Sequence, residues 1–250
     1  MASVKEHYDS HLAPLYTWMR GGADAPRRQF ADFLRTHSLA PSRPGATAVD
    51  LGAGSGFQTL PLADAGFTVT AIDLSELLLA ELTREAAAAG LGDRIHPVLG
   101  DLGQLARHCP SPAPELIICL GDTLTHLAST AHVTRLISDC TAALAQGGSL
   151  VFGYRDYSIA RHGADRFIPV RSESDRVFTC FLEYGQTHLT VHDLVHTREG
   201  AGWNLKVSTF EKIRLEPAFV RDRLRAAGLS LVHDEVVSGV HTVIARKPSI

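Results

Sequence analysis

Asp50, Gly52, Gly54 and Gly56 stand two apart where the short apolar run Thr47–Leu51 gives way to a helix-like segment. A glycine turn at a strand end lets the backbone approach a ligand where a Cβ would clash, and it takes positive φ without strain. Nucleotide-like ligands bind at such a turn, outside the carboxyl end of the first strand of a doubly wound sheet. The dinucleotide fingerprint sets its glycines at positions one, three and six. Here Phe57 takes the sixth position and Gly56 the fifth, so that fingerprint is not met. Asp73 closes the next apolar run, 23 residues after Asp50. A carboxylate about twenty residues beyond the turn is placed to accept hydrogen bonds from ribose hydroxyls.

The pattern Asp50-x-Gly52-x-Gly54-x-Gly56 resembles motif I of the class I S-adenosylmethionine (SAM) dependent methyltransferases. That resemblance implies a SAM site built from Asp50, Gly52, Ala53, Gly54 and Gly56, with Asp73 and the adjoining Leu74 at the ribose. It also implies that Gly100, Asp101 and Leu102, after the third strand, meet the adenine; a plain Gly-Asp turn is the alternative there. The segment Leu120-Gly121-Asp122-Thr123-Leu124-Thr125-His126-Leu127 resembles the Gly-Asn-Ser-x-x-His-Leu run of glycine N-methyltransferase-like enzymes, with Asp122 in place of Asn. In that family backbone carbonyl at this place, here Leu120 or Gly121, receives the SAM ammonium group. The tetrapeptide of DNA adenine methylation and the Pro-Cys pair of cytosine-C5 enzymes are both missing, which disfavours methylation of DNA bases.

For the acceptor side the candidates are His126, Asp122, Arg155 and Tyr154. His126 either orients the acceptor or takes its proton, since histidine titrates near neutrality, or it is a structural residue beside the cofactor. Arg155 suits a substrate carboxylate and Tyr154 a pocket wall, and a simple surface turn at Arg155-Asp156 is the other reading. Tyr8, Tyr16, Trp18 and Arg20 form an aromatic-rich cluster near the N-terminus. By the same resemblance Tyr8 covers the sulfonium end of SAM, where an aromatic face suits a cation; a helical packing stripe is the alternative. His188, His192 and His196 share one face of an expected strand. Residues four apart on a strand lie about 13 Å apart, so one ion cannot bridge them, and no metal is expected.

The elements that must hold these residues alternate. Strands are expected at Thr47–Leu51, Thr68–Asp73, Ile95–Leu99, Glu115–Leu120 and Ser149–Tyr154, with helices at Gln58–Ala65, Glu76–Ala89 (capped by Ser75) and 130–145. From 165 to 215 the pattern changes to an antiparallel meander, Arg176–Glu183, His188–Thr197 and Trp203–Leu215. A helix at Pro217–Ala227 and a hairpin, Ser230–Val237 with His241–Arg246, close the chain. Residues 4–38 read as helix in pieces, broken near Pro14 and at Gly21-Gly22, with Asp24 as cap of the second piece. The expected fold is therefore α/β: a Rossmann-like, seven-stranded class I methyltransferase sheet with N-terminal helices and an inserted antiparallel β meander. It divides one domain, 1–250, into an N-terminal helical lid (1–44), a SAM-binding core (45–157 and 216–250) and a β-rich substrate cap (158–215).

Composition narrows the function. The 250 residues carry a net charge of −3 with Lys and Arg scattered, which gives no footprint for nucleic acid. Four separated cysteines form neither a zinc pattern nor a disulfide framework. The N-terminus shows no signal-peptide core and no apolar run approaches a membrane span, so a cytoplasmic setting is expected. The reading is direct methyl transfer from SAM to a small molecule, leaving S-adenosylhomocysteine, with nitrogen favoured over oxygen as the acceptor atom. A non-catalytic SAM-binding sensor or partner protein, or an RNA or protein methyltransferase, are the alternatives. The meander edge offers a surface for a homodimer.

Overall fold

The computed structural model describes residues 3–249. Eleven strands among them are β1 Thr47–Leu51, β2 Thr68–Asp73, β3 Ile95–Leu99, β4 Leu116–Cys119, β5 Ser149–Arg155, β6 Phe167–Ser172, β7 Arg176–Tyr184, β8 His188–Glu199, β9 Gly202–Ile213, β10 Ser230–Val237 and β11 Val240–Arg246. The α-helices are α1 Val4–His7, α2 Tyr16–Met19, α3 Asp24–Thr36, α4 Thr59–Asp64, α5 Glu76–Ala88, α6 Leu105–His108, α7 Thr130–Ala143 and α8 Pro217–Ala226.

Seven strands form one sheet in the order β10-β11-β5-β4-β1-β2-β3. β1, β2, β3, β4 and β5 run parallel, while β11 is antiparallel to both β5 and β10. The central strands are apolar and buried along their length, as strands covered on both faces must be. Two buried clusters, one on each face, carry the core. Leu136, Ile137, Val220 and Leu224 belong to one; Leu34, Leu62, Leu79 and Leu82 belong to the other. The chain proceeds outward one way from β1 through β2 to β3, and the other way from β4 to β5. The switch therefore falls between β1 and β4, and the crevice at their carboxyl ends is where an open α/β sheet binds ligands.

Between β5 and α8 a second, antiparallel sheet is inserted, in the order β6-β7-β8-β9. It has one strand more than the sequence pattern indicates. β6 carries Pro169 and sits at the edge, the place where a strand tolerates a residue that cannot donate to the ladder. Leu189, Val191, Asp193 and Val195 alternate on the buried side of β8. The residues before β1 bridge the two sheets. A π-helical turn at Tyr8–Leu12 and a 3₁₀ turn around Pro14 separate α1 from α2, so this segment is helical in pieces. One expectation needs correction here: Asp24 is the first residue of α3 rather than its cap, and Ala23 precedes it with no side-chain capping bond. Ser75 does cap α5, accepting from the Leu78 N–H.

Candidate active site

The glycine turn forms as its spacing requires. Gly52, Gly54 and Gly56 all have positive φ, at 77°, 54° and 87°. A Cβ on Gly52 would stand 2.5 Å from the Thr123 side chain, and one on Gly54 would stand 3.2 Å from the Tyr16 ring. Gly56 serves packing instead, since its Cβ would strike Leu82 at 2.4 Å and Leu60 at 2.6 Å. The Gly54 N–H donates to Asp73 Oδ2 and the Ser75 N–H to Asp73 Oδ1, both at 2.8 Å, so Asp73 ties the turn to the start of α5. Burial raises the Asp73 carboxyl pKa, against the lowering effect of these backbone donors.

Asp50 is placed otherwise than a direct ligand contact would need. It is buried beneath the turn, accepts from Thr59 Oγ1 at 2.7 Å and lines neither of the cavities above it. Burial pushes its pKa up to about 7, with the nearby Asp73 charge adding to the rise and the Thr59 bond opposing it.

Two adjoining cavities open above this turn. The smaller, about 100 Å³, is lined by Gly52, Gly54, Asp73, Leu74, Leu78, Asp101, Leu102, Thr123, Leu127 and the N-terminal residues Val4, Tyr8 and Tyr16. It brings together two carboxylates, an apolar slot and two tyrosine rings, groups suited to a nucleoside with a cationic tail. Its volume is below the roughly 300–1,000 Å³ of ordinary ligand sites because the N-terminal segment closes on it. Ser75 Oγ donates to Asp9 at 2.7 Å and Thr17 Oγ1 to Glu81 at 2.5 Å, holding that segment against α5. Ala53 and Gly100 do not line either cavity, and Asp101 accepts from Gly103 N at 2.7 Å.

The larger cavity, about 470 Å³, lies between the sheets and shares Tyr8, Tyr16, Gly52 and His126 with the smaller. Leu120, Gly121, Asp122 and Arg155 line it, as does Arg20. Gly121 and Asp122 are both left-handed, at φ 71° and 73°, a conformation that Asp tolerates better than most side chains. That turn aims the Asp122 carboxylate across to β5 and the inserted sheet. Its Oδ1 accepts from the Arg155 N–H at 2.9 Å; its Oδ2 accepts from Tyr157 Oη at 2.8 Å and pairs with Lys212 Nζ. His126 follows on a 3₁₀ turn, Thr123–His126. Its Nε2 lies 3.4 Å from Tyr8 Oη, while Nδ1 is shielded from solvent without a partner among the described residues. Burial, then the Lys212 and His7 charges, depress the His126 pKa well below the usual value, so the ring is neutral at physiological pH.

Besides Asp50, Ala53 and Gly100, Tyr154 and Trp18 fall outside the two cavities. Tyr154 is fully buried in the core cluster beneath the sheet and stacks on His241 at 5.7 Å, and it lines neither cavity. β5 is buried on both faces, so its apolar run carries no sign of which side each ring takes. Trp18 turns away to donate to Glu173 at 2.8 Å, under the cations of Arg171 and Arg176. His188 and His192, on the outer side of β8, bond to different partners, Ala128 O and Glu183.

Lys212 and Asp193 enter the site from the inserted sheet, and sequence reasoning missed both. Their signal was parity. Asp193 interrupts the inward series Leu189, Val191, Val195, and Lys212 lies two residues after the buried Phe210. Asp193 accepts from Cys180 Sγ at 2.9 Å, and its Oδ2 is 3.1 Å from His7 Nε2 without the alignment of a hydrogen bond. His7 Nδ1 lies 2.7 Å from Ser208 Oγ and the ring stacks on Phe210 at 4.1 Å. The N-terminal segment is thus pinned to the inserted sheet as well as to α5.

Residues 48–148 match a family model described as a methyltransferase domain. A glycine/sarcosine N-methyltransferase from Aphanothece halophytica is 30% identical over 112 residues, 44% of this chain and 41% of that protein. A ubiquinone biosynthesis O-methyltransferase from Methylococcus capsulatus is 27% identical over 180 residues, 69% of this chain and 72% of that protein. The chain spans less than half the length of the glycine/sarcosine methyltransferases it matches. The fold is similar to that of the CcbJ methyltransferase from Streptomyces caelestis, with a TM-score of 0.74 at 24% identity over 88% of this chain and 89% of that one. It is also similar to CalS10, an amino pentose methyltransferase from Micromonospora echinaspora, with a TM-score of 0.71 at 18% identity over 92% and 93%.

Proposed function

We infer that this chain, whose residues 48–148 belong to the methyltransferase-domain family on a class I methyltransferase fold, moves a methyl group from SAM to a nitrogen or oxygen of a small molecule. The observation that carries this is the junction of the two cavities. A carboxylate-and-glycine site suited to a nucleoside meets a larger, partly aromatic chamber, and Tyr8, Tyr16, Gly52 and His126 border both.

Bound there, SAM supplies an electrophilic methyl group on a sulfonium, so no protein nucleophile is needed. Asp73 is the residue for the ribose, and Leu74, Asp101 and Leu102 are those for the adenine side. The rings of Tyr8 and Tyr16 face the cationic end. What the protein must do is align the acceptor and keep water out. The N-terminal segment serves as the lid that excludes water, and the four-stranded sheet as the cap that shapes the acceptor chamber. His126, neutral and bordering both cavities, orients the acceptor rather than taking its proton. Asp122 has its lone pairs engaged by Arg155, Tyr157 and Lys212, so it positions the chamber rather than acting as a base.

Incubating the protein with SAM and a panel of amines, phenols and carboxylates, and following S-adenosylhomocysteine, tests this reading. Turnover on at least one member is expected. SAM binding with no acceptor turned over would favour a sensor, and absence of SAM binding would remove the reading altogether.

A further inference from the structure

Lys212 stands in the acceptor chamber with its charge only partly spent. Its ammonium pairs with Asp122 and lies 5.6 Å from the Tyr157 ring and 5.9 Å from the Phe210 ring. The side chain is 11% exposed. An ammonium has three N–H donors; one goes to Asp122, and the others have no polar partner among the described residues, though Lys212 lines the chamber. Asp122 is arranged the opposite way, with both oxygens taken up by the protein. Both members line the chamber at 11% exposure, but only Lys212 keeps N–H donors that no protein group takes up, so the pair can still donate to an acceptor there.

The other charges along the chamber without ion partners have the same sign, although they are exposed and so screened by solvent. Arg20, Arg155 and Arg161 line the chamber and form no ion pair among the described residues. The acidic residues there are engaged: Asp156 accepts from the Ser158 N–H and hydroxyl, and Asp193 from Cys180 beside His7.

Such a field discriminates between acceptor atoms. Methylating a neutral amine builds positive charge on nitrogen as the bond forms, and a buried ammonium nearby opposes it. Methylating an ionised hydroxyl consumes negative charge, which the ammonium has first stabilised. Oxygen also keeps spare lone pairs, so it can accept from Lys212 while it attacks; an amine nitrogen has only one pair. The walls add shape: Phe178, Phe210 and Tyr157, with Leu12, Leu182 and Val191, suit a flat apolar ring.

We propose that the methyl acceptor is a phenol-type hydroxyl and that Lys212 binds its oxyanion, selecting oxygen over amine nitrogen. The inference rests on the SAM-dependent reading above. The phenol gives up its O–H proton to solvent as it binds, since the ammonium favours the oxyanion. The oxygen then forms its bond to the methyl carbon as the carbon–sulfur bond breaks, and that electron pair returns to sulfur as a thioether. It reverses the preference for nitrogen that the resemblance to glycine N-methyltransferases suggests.

4-Nitrophenol, whose phenolate absorbs separately from the neutral phenol, tests the binding half with no SAM present. The pH titration of the bound dye should show acid dissociation at least tenfold stronger than in water. Lys212→Met should abolish that gain. Because Lys212→Met leaves a buried Asp122 unpaired, the paired variant D122N/K212M, checked for folding by circular dichroism, should give the same loss. With SAM, phenol turnover should exceed that of benzylamine, and kcat/KM for the phenol should fall on the order of 100-fold in the paired variant. Bound dye titrating as it does in water, a dye that does not bind, or phenol turnover indifferent to Lys212 would each overturn the proposal. SAM-dependent methylation of benzylamine without the phenol would overturn it too, while leaving methyl transfer standing. A dissociation gain on the dye in a protein that fails to bind SAM would instead sustain Lys212 as the oxyanion site and sink the methyltransferase reading.

Discussion

Asp50 shows how a single buried group can set a property of the whole protein. Its carboxyl has a pKa pushed up to about 7 by burial, against an ordinary value near 3.9 in an unfolded chain. Between about pH 4 and pH 7 the unfolded chain has released this proton while the folded chain keeps it. Stability contributed by this residue therefore falls as pH rises through that window and stays lost above it. Asn at this place would still accept from Thr59. Asp50→Asn should gain on the wild type by a few kcal/mol between pH 4 and pH 8, measured as the difference in urea unfolding free energy at the two pH values. Parallel pH profiles for the two proteins would show that Asp50 is not the source. At this scale the sequence was informative where a residue type and a spacing coincide. Asp73, expected beside the glycine turn from its spacing, does lie there, and it accepts from the Gly54 N–H, a bond the spacing did not foretell. Tyr154 was illegible for a definite reason: on a strand covered on both faces, apolar periodicity vanishes and with it the direction of the side chain.

Among the elements, the N-terminal segment is the one whose role depends on contacts that no local pattern predicts. Its broken helical character follows from Pro14 and Gly21-Gly22. Its docking does not, because His7 finds Ser208 and Asp193 about two hundred residues away. His7 is wholly buried there, and leaving its buried polar partners Ser208 and Asp193 without it costs roughly 1–3 kcal/mol. His7→Ala should release the segment without unfolding the seven-stranded sheet, whose core clusters do not include it. Limited proteolysis should then cut within residues 3–20 at least tenfold faster, with the melting transition of the remainder kept. Unchanged cleavage would mean that the bonds from Asp9 to Ser75 and Thr17 to Glu81 suffice to hold the segment. The inserted sheet was legible as a meander from its alternation, but its edge strand β6 was missed because Pro169 interrupts a short apolar run that shows no alternation. Lys212 was missed in the same element, since one lysine on an alternating strand reads as solvent-facing until the opposing wall is known.

Across the whole molecule the architecture is economical: one sheet supplies the glycine turn, the other supplies Lys212 and Asp193, and the N-terminal segment closes both. Neither sheet alone makes the junction at His126. The topology of the first sheet could be read from strand–helix alternation, because each βα step is local. The placement of the second sheet over the switch point is tertiary, and only the family resemblance, which implies a substrate cap at 158–215, pointed to it. No helix among the described residues is long and apolar enough to cross a membrane. The claim on which everything else depends is that the glycine turn and Asp73 hold SAM. Calorimetric titration of SAM into the protein and into Asp73→Ala tests it most directly. Saturable one-to-one binding is predicted, weakened roughly 10- to 100-fold by the substitution, as expected for losing hydrogen bonds to a charged group. Equal affinities in the two proteins, or no binding in either, would contradict it.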